Sequence, residues 1–72
     1  MLELNVERAY LQVMKSRSLE DRLDSLETLA YLGRKFLVVR QEVIEKLRFI
    51  EQTHYCYNTR IRAKQILEDL HD

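Results

Sequence analysis

The amino-acid sequence predicts an all-α fold, a small bundle of four short antiparallel helices that forms one domain over residues 1–72. The chain has no proline and a single glycine, Gly33, so the residues that usually mark loops and β-turns are nearly absent. Apolar residues recur at the three- and four-residue spacing of an amphipathic helix along most of the chain. Turn signals occur near residues 16–18, 33 and 56–58, which leaves only short connections and therefore antiparallel chain neighbours.

The first two predicted helices are divided by a short turn over residues 16–18. The first runs from about Leu2 to Lys15, with its apolar residues mainly on one face. Ser18 is the expected N-cap of the second helix, because a serine hydroxyl accepts a hydrogen bond from a free backbone N–H at a helix start. That helix is expected to run from about Leu19 to Leu32 and to end at Gly33, since glycine takes the left-handed conformation at no steric cost.

The third predicted helix runs from about Phe36 to Thr53, and the fourth from about Thr59 to Leu70. Asn58 is the expected N-cap of the fourth helix. No segment favours a strand, because the β-prone run at residues 37–39 is short and lies inside a helix-period pattern.

A short pattern recurs three times, with an arginine first, a small or β-branched residue three positions on and leucine or isoleucine further along. The arginines are Arg22, Arg40 and Arg60, which are 18 and then 20 residues apart. This interval equals one helix plus one short turn. The pattern therefore indicates how the chain folds rather than what it does.

The segments from Val39 to Ile50 and from Thr59 to Leu70, each opening on a residue followed by arginine, resemble the second helix of HEAT-like repeats. HEAT-like repeats are helix pairs with a period of about 30 to 47 residues, longer than the interval in this chain. The resemblance covers about half of the chain. It implies a stacked helical adaptor whose inner face binds protein, or sometimes nucleic acid.

Two helices carry more apolar residues than one bundle core needs. Leu4 and Leu11 fall almost opposite the main apolar face of the first helix, and Val38 and Phe49 do the same on the third. Paired apolar residues at helical spacing favour a partner surface, used for another protein or for a second copy in a homodimer. If the helices instead wrapped more tightly, these four residues would belong to the core.

The segment from His54 to Tyr57 is the densest unusual stretch. His54 and Cys56 are metal-ligand types, but a structural zinc site needs four ligands and His71 is the one further candidate, so no metal is expected. A Cys–His nucleophilic pair two residues apart near a turn has poor geometry. The alternatives are that Tyr55 and Tyr57 cover the end of the bundle beside a partly buried His54, or that they bind a partner.

Basic residues near the start of the fourth helix carry the second functional hypothesis, a nucleic-acid-binding module. The predicted set is Arg34, Lys35, Arg60, Arg62 and Lys64. A helix N-terminus with added cations suits phosphate. Against this, the 12 basic and 12 acidic residues of the chain give a net charge of zero, which removes any global attraction to nucleic acid.

Composition and motifs favour a small non-enzymatic regulator or adaptor that binds a protein. Paired carboxylates occur at Glu20, Asp21 and Asp24 and at Glu68 and Asp69, but they lie on polar helix faces and do not suggest a catalytic dyad. No glycine-rich phosphate loop or cofactor motif is present, so no catalytic residue and no cofactor are predicted. No apolar run approaches the roughly 20 residues of a membrane span, and the first residues lack the layout of a signal peptide. One cysteine excludes an internal disulfide and suits a reducing compartment, so we expect a cytoplasmic protein.

Overall fold

A computed structural model describes residues 1–70 and confirms the all-α bundle. Four helices follow one another in the described chain: α1 (Leu2–Lys15), α2 (Leu19–Lys35), α3 (Leu37–Thr53) and α4 (Tyr57–Leu70). The connections are three, one and three residues long. Such short connections hold chain neighbours side by side with opposite directions.

The helices form two hairpins, α1–α2 and α3–α4, that lie beside each other with like helices parallel. Contacts between α1 and α3 advance together along both helices: Glu7 with Lys46, Tyr10 with Phe49, and Val13 with His54. Contacts between α2 and α4 do the same: Arg22 with Thr59, Glu27 with Arg62, and Gly33 with Leu70. The pairs α1–α3 and α2–α4 are therefore parallel, whereas chain neighbours are antiparallel as predicted.

Helices α2 and α3 form the centre of this arrangement. Each contacts the other three helices in residues 1–70, whereas α1 and α4 do not contact each other. The core consists of one continuous cluster whose fully buried side chains include Val6, Val13, Leu26, Leu29, Val43, Leu47, Ile50 and Ile66. The outward side of α1 and α3 is thus left uncovered by α2 and α4.

The recurring arginine has one structural role in all three places. Arg22, Arg40 and Arg60 are each the fourth residue of their helix. Each donates through its guanidinium group to a backbone carbonyl six residues earlier, at the end of the preceding helix: Ser16, Arg34 and His54, respectively. The last carbonyls of a helix have no hydrogen-bond donor within that helix and carry partial negative charge. An arginine supplies both the donor and a positive charge. The 18- and 20-residue spacing follows from this clamp across each turn.

The structure corrects three predicted helix boundaries. Gly33 does not end α2 in the left-handed conformation, because α2 continues to Lys35 and no glycine in residues 1–70 has positive φ. Gly33 is instead buried, and a Cβ there would lie 3.0 Å from Cδ1 of Leu70 and 3.1 Å from Cγ1 of Val43. Glycine is thus needed for the close approach of three helices rather than for a turn.

The other two corrections concern the starts of α3 and α4. Phe36 is the single connecting residue between α2 and α3 and precedes the first residue of α3. Helix α4 begins two residues earlier than predicted, at Tyr57, and the carbonyl of Cys56 accepts the first backbone bond, from Arg60. Cys56 therefore occupies the cap position that was predicted for Asn58. The predicted cap at Ser18 is confirmed, since its hydroxyl accepts from the backbone N–H of Asp21.

Candidate functional site

The four apolar residues that the sequence singled out are all exposed. Their exposed fractions are 52% for Leu4, 38% for Leu11, 76% for Val38 and 48% for Phe49. Leu4 and Leu11 lie about 140–160° around α1 from the buried Val6, and Val38 and Phe49 lie about 120–140° around α3 from the buried Val43. We call this uncovered side of α1 and α3, defined by Leu4, Leu11, Val38 and Phe49, the outer face.

A seam of side chains between α1 and α3 supports the outer face. The rings of Tyr10 and Phe49 meet edge to face with centroids 6.3 Å apart. Lys46 lies 4.6 Å from the centre of the Tyr10 ring and pairs with Glu7 across the two helices at 3.2 Å. These contacts give Phe49 a neighbour on α1 and connect the two helices beside the outer face. Sequence reasoning missed the seam because it depends on the parallel register of α1 and α3, which no local pattern encodes.

His54 joins α1 to the turn between α3 and α4. It is 3% exposed, its Nε2 lies 3.2 Å from the carbonyl oxygen of Val13, and its Nδ1 accepts from the backbone N–H of Cys56 at 3.0 Å. Since Nδ1 accepts, the ring proton is on Nε2 and is donated to Val13. Burial lowers the pKa of His54 below 6.5, with Arg22 and Arg60 adding to the effect against the opposing bond to Val13. Both ring nitrogens are held by backbone groups, so His54 is not paired with the Cys56 thiol.

Tyr55 and Tyr57 lie over cationic groups at this end of the bundle. The Tyr55 ring stacks on His54 with centroids 4.6 Å apart, and its hydroxyl accepts from Nη1 of Arg22 at 3.2 Å. Tyr57 lies 5.8 Å from the guanidinium carbon of Arg60. Both tyrosines remain exposed, at 72% and 65%. They cover the end of the bundle, and their predicted role in partner binding remains a prediction.

Cys56 lies in a setting that favours its thiolate. Hydrogen bonds from the side chain and backbone of Thr59, with smaller contributions from Arg22 and the backbone of Asn58, lower the pKa of the thiol to about 7. The N-terminus of α4 supplies these backbone donors, and the guanidinium supplies positive charge. The thiol is free and partly exposed. No local sequence pattern predicts this setting, because Arg22 reaches the turn from the other hairpin.

The five basic residues predicted for nucleic acid do not form one cluster. Arg34 and Lys35 end α2, whereas Arg60, Arg62 and Lys64 lie within the first eight residues of α4. Because α2 and α4 run parallel, the two groups lie toward opposite ends of the bundle. Arg60 donates to the carbonyl of His54, and Arg62 forms an ion pair with Glu27. Two of the three cations on α4 are thus already engaged within the fold.

An open groove of about 460 Å³ runs between α1 and α2, on the side away from the second hairpin. Its lining residues are Asn5, Arg8, Ala9, Gln12, Ser25, Thr28, Tyr31 and Leu32. Arg8 is the one charged residue of this lining.

The described residues also limit other classes of site. In residues 1–70, no three histidine, cysteine, aspartate or glutamate side chains are grouped so as to hold a metal ion, and His71 lies outside the described residues. None of the four helices has the length and apolar character needed to cross a membrane. Comparisons with protein-family models, curated proteins and solved structures found no match.

Proposed function

We propose that this chain is a small non-enzymatic regulator or adaptor that binds another protein through the outer face. The observation that carries the proposal is that Leu4, Leu11, Val38 and Phe49 are all exposed on two adjacent helices. Burying such side chains against a partner removes apolar surface from water at about 25 cal/mol per Å². Aromatic side chains often carry a large share of the binding energy at an interface, and Phe49 is the exposed aromatic residue of the outer face, packed beside Tyr10.

The contacts at the seam between α1 and α3 support a binding role for the outer face rather than exposure of Phe49 by chance. Phe49 already packs against Tyr10, whose ring lies beside Lys46, so a partner needs to order this side chain less when it docks. Isolated apolar residues are common on protein surfaces, whereas paired ones on adjoining helices are typical of interaction surfaces.

A cytoplasmic location belongs to the same proposal. The chain has a single cysteine, and the free thiol of Cys56 suits a reducing compartment. Fractionation of source cells that express a tagged chain tests the location separately from binding.

The experiment is affinity capture from source cells with the tagged wild-type chain and with Leu11→Asp and Phe49→Asp. Leu19→Asp is the matched control, because Leu19 is 37% exposed, close to the 38% of Leu11, but begins α2 and lies off the outer face. We expect the outer-face variants to lose a captured protein that the control retains, with all chains equally helical by circular dichroism. Equal capture by all four chains would contradict the proposal. Capture that disappears with nuclease and with Arg62→Ala plus Lys64→Ala would instead favour nucleic-acid binding.

A further inference from the structure

The outer face has opposite charges on its two helices. On α1, Arg8 and Lys15 continue the face of Leu4 and Leu11 at four- and seven-residue steps. On α3, Glu42 and Glu45 lie between Val38 and Phe49 at the same steps. Helix α1 thus presents leucine with cations, and α3 presents valine and phenylalanine with carboxylates.

Among the described residues 1–70, these four charged side chains take part in no ion pair. Within residues 1–70, the ion pairs formed by side chains are Lys46 with Glu7 and Arg62 with Glu27. Arg8, Lys15, Glu42 and Glu45 take part in neither, and three of them are exposed while Glu42 is half-buried. Their charges are therefore available to a molecule that covers the outer face.

We propose that a second copy of this chain covers the outer face, with α1 of each copy against α3 of the other. This inference rests on the proposed function and names the partner. A twofold dimer joins the same surface on both copies, so that surface must be complementary to itself. The outer face meets this requirement, because a twofold axis along the helices keeps the register of α1 and α3 and so brings Arg8 of one copy close to the level of Glu45 of the other. Phe49 of each copy then packs beside leucines of the other.

The size of the face sets the expected strength of the dimer. Helices α1 and α3 contain 14 and 17 residues, which gives a face about 25 Å long and about 20 Å wide. A dimer would bury about 500 Å² on each copy, or about 1,000 Å² in total, near the lower limit for a specific interface. We therefore expect a reversible dimer with a dissociation constant in the micromolar range.

Charge exchange tests the pairing without knowledge of any other protein. One variant carries Glu42→Arg and Glu45→Arg, and the other carries Arg8→Glu and Lys15→Glu; all four changes replace one good helix former with another. We expect the wild-type chain to dimerise in sedimentation equilibrium and each variant alone to dimerise at least tenfold more weakly. An equimolar mixture of the two variants should dimerise at least as tightly as the wild type, because one copy then has a basic face and the other an acidic one.

Two results would overturn the inference. One is a wild-type chain that stays monomeric up to about 1 mM, which excludes even a weak dimer and leaves binding of a different protein by the outer face intact. The other is a dimer that both variants retain, which places the interface elsewhere. If a double variant loses helicity, the single changes Glu45→Arg and Arg8→Glu give the same comparison.

Discussion

Arg22 donates from Nε to Oγ1 of Thr59 over 3.0 Å, and both side chains are buried although 37 residues separate them in the chain. Nη1 of Arg22 also donates to the Ser16 carbonyl and to the Tyr55 hydroxyl. No carboxylate in residues 1–70 pairs with this guanidinium. The two hairpins are thus joined at one end by neutral oxygen acceptors around the buried Arg22 guanidinium. Because an arginine side chain has only donors, Arg22 is the donor in each of these hydrogen bonds.

Replacement of Thr59 by valine should destabilise the fold by about 1–3 kcal/mol. The change keeps the shape of the side chain but leaves Nε of Arg22 buried without an acceptor, which costs its desolvation. Urea denaturation followed by circular dichroism measures the free energy of unfolding. Thr28→Val is the control, because the Thr28 hydroxyl is exposed and bonds only to a carbonyl within α2. Equal stability of the two variants would show that the Arg22–Thr59 bond contributes nothing.

The clamp formed by Arg40 gives a second stability prediction. Arg40 donates from Nε to the Gly33 carbonyl at 2.8 Å and from Nη2 to the Arg34 carbonyl at 3.2 Å, across a connection of one residue. Arg40→Gln should cost about 1 kcal/mol, a reduced value because the site is partly open to water. Arg34→Gln, which removes an exposed cation from the same turn, should change stability by less than about 0.5 kcal/mol. Chemical denaturation distinguishes them, and a larger loss for Arg34→Gln would contradict the clamp.

The sequence was sufficient for the number, type and approximate bounds of the helices, because apolar spacing and cap residues act locally. Helix α1 was predicted with its observed bounds, and Ser18 was predicted as a cap from its hydroxyl alone. The outer-face residues were identified for the same reason, since their angle around a helix follows from their numbers. These are properties of single helices and need no knowledge of neighbours.

What the sequence could not predict depends on how the hairpins meet. Gly33 was predicted to end α2, but in the structure it is the point where Leu70 and Val43 approach that helix. A buried glycine and a capping glycine have the same signature in the sequence, so the pattern could not distinguish them. The basic residues looked like a cluster because Arg34 and Arg60 both lie near predicted turns, but the parallel packing of α2 and α4 separates them. The recurring arginine was visible, whereas its role needed the positions of the carbonyls before each turn.

His54 predicts a loss of stability as pH falls. Its pKa in the folded chain lies below the ordinary value of 6.5, chiefly because burial disfavours the charged ring. The unfolded chain therefore takes up the proton first, so the contribution of neutral His54 is fully present above about pH 6.5 and decreases as pH falls below that value. Protonation would also remove the acceptor for the Cys56 N–H.

The measurement is the free energy of unfolding between about pH 7.5 and pH 5 for the wild type and for His54→Gln. The variant should be less stable at neutral pH and should show a shallower loss on acidification. Both chains retain His71, so the difference between their slopes reports His54. Parallel slopes would mean that His54 titrates alike in the folded and unfolded chains.

The Cys56 thiol should react at a lower pH than an ordinary cysteine. Its pKa of about 7, against 9.0 for an unperturbed thiol, follows first from the hydrogen bond of the Thr59 side chain and then from the Thr59 backbone. Since the thiolate is the reactive form, the rate of alkylation by iodoacetamide should reach half its maximum near pH 7. Thr59→Val should move that midpoint upward, whereas Thr59→Ser keeps the hydroxyl and should leave it near the wild-type value. The rates are measured under reducing conditions at a temperature where every variant is folded. Identical midpoints for the valine and serine variants would show that the Thr59 hydroxyl does not stabilise the Cys56 thiolate.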